Sequence, residues 1–87
     1  MAYRIELTPA AGRDFKKLPG AAAKRLAPRI DALAQEPRPA GVLPMTGMHG
    51  YYRLRVGDYR IIYKIEDERL VVLVIRVANR REAYRER

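Results

Sequence analysis

The sequence predicts an α+β domain, and three observations carry that reading. A short alternating segment stands at the N-terminus. Two segments with helical spacing follow it. After a loop rich in proline and glycine come three segments with the alternation, or the continuous apolar character, of strands. In 87 residues there is room for one domain and one core.

Residues 2 to 7 (AYRIEL) alternate, with Tyr3, Ile5 and Leu7 on one side and Arg4 and Glu6 on the other, so they read as a strand. Thr8-Pro9 supplies a helix N-cap and a proline at the first helical position. The helix it opens runs to about Leu18, with Ala11, Phe15 and Leu18 inward. Pro19-Gly20 closes it, and a second helix spans about Ala21 to Gln35, with Leu26, Ile30 and Leu33 at helical spacing. Pro28 falls inside that helix and predicts a kink or split near residue 27, because proline brings no N–H to the helical ladder. Residues 36 to 50 hold three prolines and three glycines and read as loop. Strands are expected at 51–56, 59–65 and 70–78, joined by Gly57-Asp58, a good two-residue hairpin turn, and by a turn at Glu66–Arg69. The last strand, LVVLVIRV, is apolar on both faces, as a covered central strand is. A short basic helix over Asn79–Arg87 completes the order βααβββα, with the helices on one face of a mainly antiparallel sheet.

Composition narrows the function. There is no cysteine and a single histidine, His49, so disulfides, thiolate metal sites and a histidine acid–base pair are excluded, and no metal or cofactor is expected. No apolar run reaches the roughly 18 residues of a membrane span, and the N-terminus has no signal-peptide pattern. The expectation is a soluble cytoplasmic protein. Eighteen Lys and Arg against ten Asp and Glu give a net charge of +8, which points to a polyanionic partner. Arginine dominates the basic set, and its planar fork binds phosphate in two-point fashion.

The charge is not spread evenly. With Gly57-Asp58 as the turn, Val56 pairs with Tyr59, Arg55 with Arg60, Leu54 with Ile61, Arg53 with Ile62 and Tyr52 with Tyr63. One face of the hairpin then carries Tyr52, Leu54, Val56, Tyr59, Ile61 and Tyr63, for the helices to cover. The other carries Tyr51, Arg53, Arg55, Arg60, Ile62 and Lys64, with no carboxylate among them. Like charges in a cross-strand pair are destabilising, so folding alone favours an acid beside Arg55 or Arg60. Two readings stay open: guanidinium groups splayed into water on a solvated face, or a seat for phosphates with Tyr51 as a stacking surface for a base. His49, in a glycine-flanked loop, reads as a surface residue or as an RNA contact.

The run YRLRVGDYRIIYKI, followed by VVLVIRV and NRREAY, closely resembles the RelE/ParE superfamily of bacterial toxins, and EPRPAGVLPMTG resembles the loop that precedes the family's hairpin. The resemblance covers nearly the whole chain. It implies the toxin of a type II toxin–antitoxin module. In the RelE branch that toxin is an endoribonuclease acting on mRNA in the ribosomal A site. In the ParE branch it is an inhibitor of DNA gyrase without nuclease activity. By position, the RelE pattern assigns catalytic roles to Arg53, Arg55, Arg60, Arg80 and Tyr84. Beside it, the basic hairpin face and C-terminus make Tyr51, Arg53, Arg55, Lys64 and Arg81 the expected RNA contacts. Asn79 stands where many relatives have histidine, and arginines stand where some active members have hairpin lysines, which also admits a degenerate RNA-binding domain. The resemblance implies an acidic, partly disordered antitoxin as partner, with ribosome and mRNA as the target and gyrase as the alternative. Catalysis would be attack of a 2′-hydroxyl on the adjacent phosphate. Arg60 and Arg80 would clamp that phosphate, Arg53 and Arg55 would add charge, and Tyr84 would be the general base, unless it is only a packing aromatic.

Overall fold

The structure, a computed structural model, describes residues 2–79. In chain order the elements are β1 (Arg4–Leu7), α1 (Pro9–Lys16), α2 (Gly20–Ala32), β2 (Leu43–Pro44), β3 (Tyr51–Val56), β4 (Tyr59–Glu66) and β5 (Val71–Asn79). The strands form one sheet in the order β1-β5-β4-β3-β2. Most of it is antiparallel, but β1 runs parallel to β5, so the sheet is mixed.

The local signals act as their chemistry dictates. The Thr8 hydroxyl accepts from the Ala11 N–H at 3.1 Å and caps α1, and the same hydroxyl donates to the Ile75 carbonyl at 2.8 Å. One side chain thus starts the helix and ties it to β5. Both helices lay their apolar faces on the sheet, where Ala11, Leu26, Ile30 and Leu33 meet Leu54, Val56, Ile61, Tyr63, Ile65, Val72, Val74 and Val77. Each large apolar side chain buried there contributes about 1.5–3 kcal/mol relative to exposure. Phe15 and Leu18 pack on the edge of this cluster.

Four expectations need correction. The helix α2 runs unbroken through Pro28. Pro28 is exposed, so the carbonyl it leaves without an N–H can turn to water, and the packing of Leu26 and Ile30 holds the turns on either side. Both helices end two or three residues early, at Lys16 and Ala32. The 36–50 loop contains the two-residue strand β2, paired with β3 through Leu43–Arg53 and Pro44–Tyr52. Asn79 ends β5 rather than opening a helix, and the helix expected beyond it lies outside the described residues.

β5 is longer than its partner β1, and the surplus edge is covered by α1. Beyond Leu7, the Val77 N–H donates to Asp14 Oδ2 at 2.9 Å, and Arg76 Nε donates to the same oxygen at 2.8 Å. A bulge between Ile62 and Tyr63 shifts the β4–β5 register along this stretch, so that Ile62 faces Arg76 while Tyr63 faces Val74. Among the described residues no helix is long and apolar enough to cross a membrane.

Candidate nucleic-acid interface

The hairpin folds in the register that the Gly57-Asp58 turn dictates. Gly57 takes φ +60°, and the ladder pairs Val56 with Tyr59, Arg55 with Arg60, Leu54 with Ile61, Arg53 with Ile62, Tyr52 with Tyr63 and Tyr51 with Lys64. Leu54, Val56, Ile61 and Tyr63 lie in the core. The other face therefore presents three rungs in sequence: Tyr51 beside Lys64, Arg53 beside Ile62, and Arg55 beside Arg60. The structure thus brings together five of the residues singled out in the sequence. Arg80, Arg81 and Tyr84 lie outside the described residues.

These cations do not share one environment. Arg55 is exposed, with Nε 3.4 Å from the Gly57 carbonyl, and Arg53 is half-buried. Arg60 is only 7% exposed. A freely solvated arginine face does not describe this arrangement. Guanidinium stays charged at any ordinary pH, so burying it carries a desolvation cost. Burial also leaves the side chain fewer rotamers than an exposed arginine has. At the far rung the Lys64 ammonium lies 5.5 Å from the centre of the Tyr51 ring, a cation–π contact, and 3.7 Å from Glu66.

The loop before the hairpin is anchored at the opposite end of the strands. Arg38 Nη2 donates to Asp67 Oδ2 at 2.8 Å, its Nε donates to the Tyr52 hydroxyl at 3.2 Å, and the Tyr3 hydroxyl donates to Asp67 Oδ1 at 2.6 Å. Tyr63 donates to the Pro37 carbonyl at 2.7 Å and stacks on Tyr52 with ring centres 6.0 Å apart. The hydrogen bonds from Arg38 and Tyr3 hold the Asp67 carboxyl below its ordinary range, and the bond to Asp67 raises the Tyr3 phenol. Burial, reinforced by Tyr52, pushes the Tyr63 phenol up to about 12. Sequence reading missed this anchor: Arg38 and Asp67 stand 29 residues apart, and no local pattern links them.

The same loop and the start of β3 surround an open groove of about 500 Å³, another feature without a sequence signal. Chemically, the face offers two-point phosphate contacts at one end and an aromatic ring beside a concave space at the other. Among the described residues no three His, Cys, Asp or Glu side chains gather as a metal site.

The family model for the ParE toxin of type II toxin–antitoxin systems matches residues 5–84. The chain is similar to toxin RelG of Mycobacterium tuberculosis, 35% identical over 98% of this chain and 99% of that one. It is also similar to the mRNA interferase toxin RelE of Escherichia coli, 31% identical over 99% and 94% of the two chains. Among solved structures, the toxin–antitoxin complex RelBE2 of M. tuberculosis superposes with a TM-score of 0.81 at 30% identity, covering 92% of this chain and all of the matched one. The isolated E. coli RelE toxin gives 0.81 at 28% identity, over 98% and 94%.

Proposed function

The chain belongs to the RelE/ParE superfamily of type II toxin–antitoxin toxins, and from that premise we propose that it is an endoribonuclease that cuts mRNA in the ribosomal A site. One observation carries the reading: the Arg55–Arg60 rung, with one guanidinium exposed, the other buried, and no acid within the three rungs from Arg55–Arg60 to Tyr51–Lys64. The names of its relatives support it, since one is called an mRNA interferase. The reading also includes an antitoxin partner, and the RelB-bound toxins of the same fold support that part.

In this reaction the 2′-hydroxyl of one nucleotide attacks the neighbouring phosphorus. A P–O2′ bond forms and the P–O5′ bond breaks. The products are a 2′,3′-cyclic phosphate and a free 5′-hydroxyl. The phosphorane in between gains negative charge, and donors already aimed at it lower the barrier without rearrangement at the moment of reaction. Arg60, restrained by burial, is the main donor in this scheme. Arg55 meets the same phosphate from across the ladder, and Arg53 holds the next one. Arg80 as a second clamp and Tyr84 as general base complete the assignment on family position alone.

The test places the protein on ribosomes carrying a defined mRNA with an open A site and maps new RNA ends by primer extension. Arg60→Ala is expected to slow cutting about 100-fold or more, with Arg60→Lys in between. Unfolding curves show whether each variant keeps its fold. Equal cutting by folded Arg60→Ala and the parent chain sinks the assignment. The name of the matching family model favours one second reading, a gyrase inhibitor without chemistry. Intact mRNA together with blocked DNA supercoiling establishes that reading instead.

A further inference from the structure

The groove beside the arginine row has the makings of a base pocket. Its wall is formed by Met45, Met48, His49, Gly50, Tyr51 and Tyr52. Met48 is 44% exposed and His49 is exposed, so a thioether and an imidazole stand at the surface beside a phenol. The loop that holds them is fixed. Met45 N–H donates to the Tyr51 carbonyl at 2.9 Å, Tyr51 N–H to the Met48 carbonyl at 3.1 Å, and Ile65 N–H to the Gly50 carbonyl at 2.9 Å. Gly47 and Gly50, at φ +77° and +86°, make the turns these bonds need. The groove is therefore held against both β3 and β4.

Tyr51 belongs to two features at once: it is the end rung of the basic face and part of the groove wall. Arg55 lies four residues along the same strand, which at about 3.4 Å per residue places its rung about 14 Å away. An extended single strand crosses that distance in about two nucleotides. We propose that the groove is a nucleobase subsite, which takes an unpaired purine about two nucleotides from the phosphate held at Arg55 and Arg60. The base stacks on Tyr51 and touches the Met48 thioether, and His49 meets its edge. Lys64, already over the Tyr51 ring, takes the phosphate on that side. A purine is favoured because it offers the larger stacking surface to an aromatic ring and a polarisable sulfur. This inference rests on the nuclease reading, since it places the base relative to a cut.

The experiment uses the full chain on ribosomes programmed with a pool of mRNAs randomised around the open A site, with the 5′-hydroxyl ends sequenced. The parent chain is expected to show a purine preference of about threefold to tenfold two nucleotides from the cut, on one side only. The double variant Met48→Ala/His49→Ala and, separately, Tyr51→Leu are expected to flatten it, so that purine and pyrimidine sites are cut at equal rates whatever the overall rate of the variant. Leucine keeps apolar bulk on β3, so a folded Tyr51→Leu chain tests stacking rather than strand packing. A parent chain without that preference, or variants that keep it, overturns the subsite. A parent chain that cuts nothing overturns the nuclease reading as well, so the two failures are distinguishable.

Discussion

At the scale of single residues, Asp14 has the most to do. Its carboxylate receives the Arg76 guanidinium and the Val77 N–H where β5 outruns β1, so one side chain closes the open edge of a strand. Burial by itself pushes the Asp14 carboxyl up, but those donors outweigh it and hold the group below its ordinary value. A carboxyl depressed in the folded state stabilises above its unfolded pKa, and that contribution disappears as pH falls through the folded value. Asp14→Ala is therefore expected to lower stability by about 2–3 kcal/mol at pH 7. The gap from the parent chain should begin to shrink below about pH 4, where an unfolded aspartate takes up its proton while the folded Asp14 still resists it. Urea unfolding of both proteins at pH 7 and pH 3 checks this. A gap that stays constant with pH removes the charge from the account. Asp14→Asn should fall between the two, because its amide oxygen still accepts from Val77.

At the scale of elements, the long loop is held by its tyrosines. Tyr63 reaches from the core of β4 to the Pro37 carbonyl, while Arg38 bridges Asp67 and Tyr52. Tyr63→Phe keeps the ring and removes one donor, with an expected loss of about 1 kcal/mol. Its pH signature is specific. The Tyr63 phenol, pushed up to about 12, stays protonated after an unfolded tyrosine has ionised, so the parent chain loses stability as pH rises from about 10 towards that value. The Phe variant lacks that part of the alkaline decline, which denaturant curves at pH 8 and pH 11 resolve. These same elements show what could be read from the chain beforehand. Thr8-Pro9 and Gly57-Asp58 are local signals, so the start of α1 and the register of every arginine on the hairpin were legible. β2 was not. Its two residues owe their strand geometry to β3, and the prolines and glycines around them read as loop. The Arg38–Asp67 pair and the Asp14–Arg76 pair exist only after the fold brings distant segments together. For the same reason the arginine row could be placed, while the burial of Arg60 and the groove at Tyr51 could not.

At the scale of the whole molecule, the question is whether the net charge of +8 or its placement binds RNA. The two helices and the cap of the first carry Arg13, Lys16, Lys17, Lys24 and Arg29 in exposed positions on the helix side of the sheet, while Arg25 reaches the hairpin turn at Gly57. A purely global attraction treats those five like Arg53 and Arg55. A built interface does not. Each phosphate neutralised on a single strand contributes about −0.7 to the slope of log K against log salt. Replacing Arg53 and Arg55 together by glutamine should then flatten the slope for a short single-stranded RNA by about 1.4. Replacing Lys24 and Arg29 by glutamine removes the same net charge from the helix side, and the slope should stay near that of the parent chain. Fluorescence anisotropy across a salt series measures all three proteins under identical conditions. Equal flattening in both double variants means that the helix side meets phosphates too, and that the polyanion is wider than one strand laid along the hairpin. Flattening confined to the Arg53/Arg55 variant assigns the binding charge to the face where Arg60 is buried, and it leaves the helix cations with work other than holding that strand.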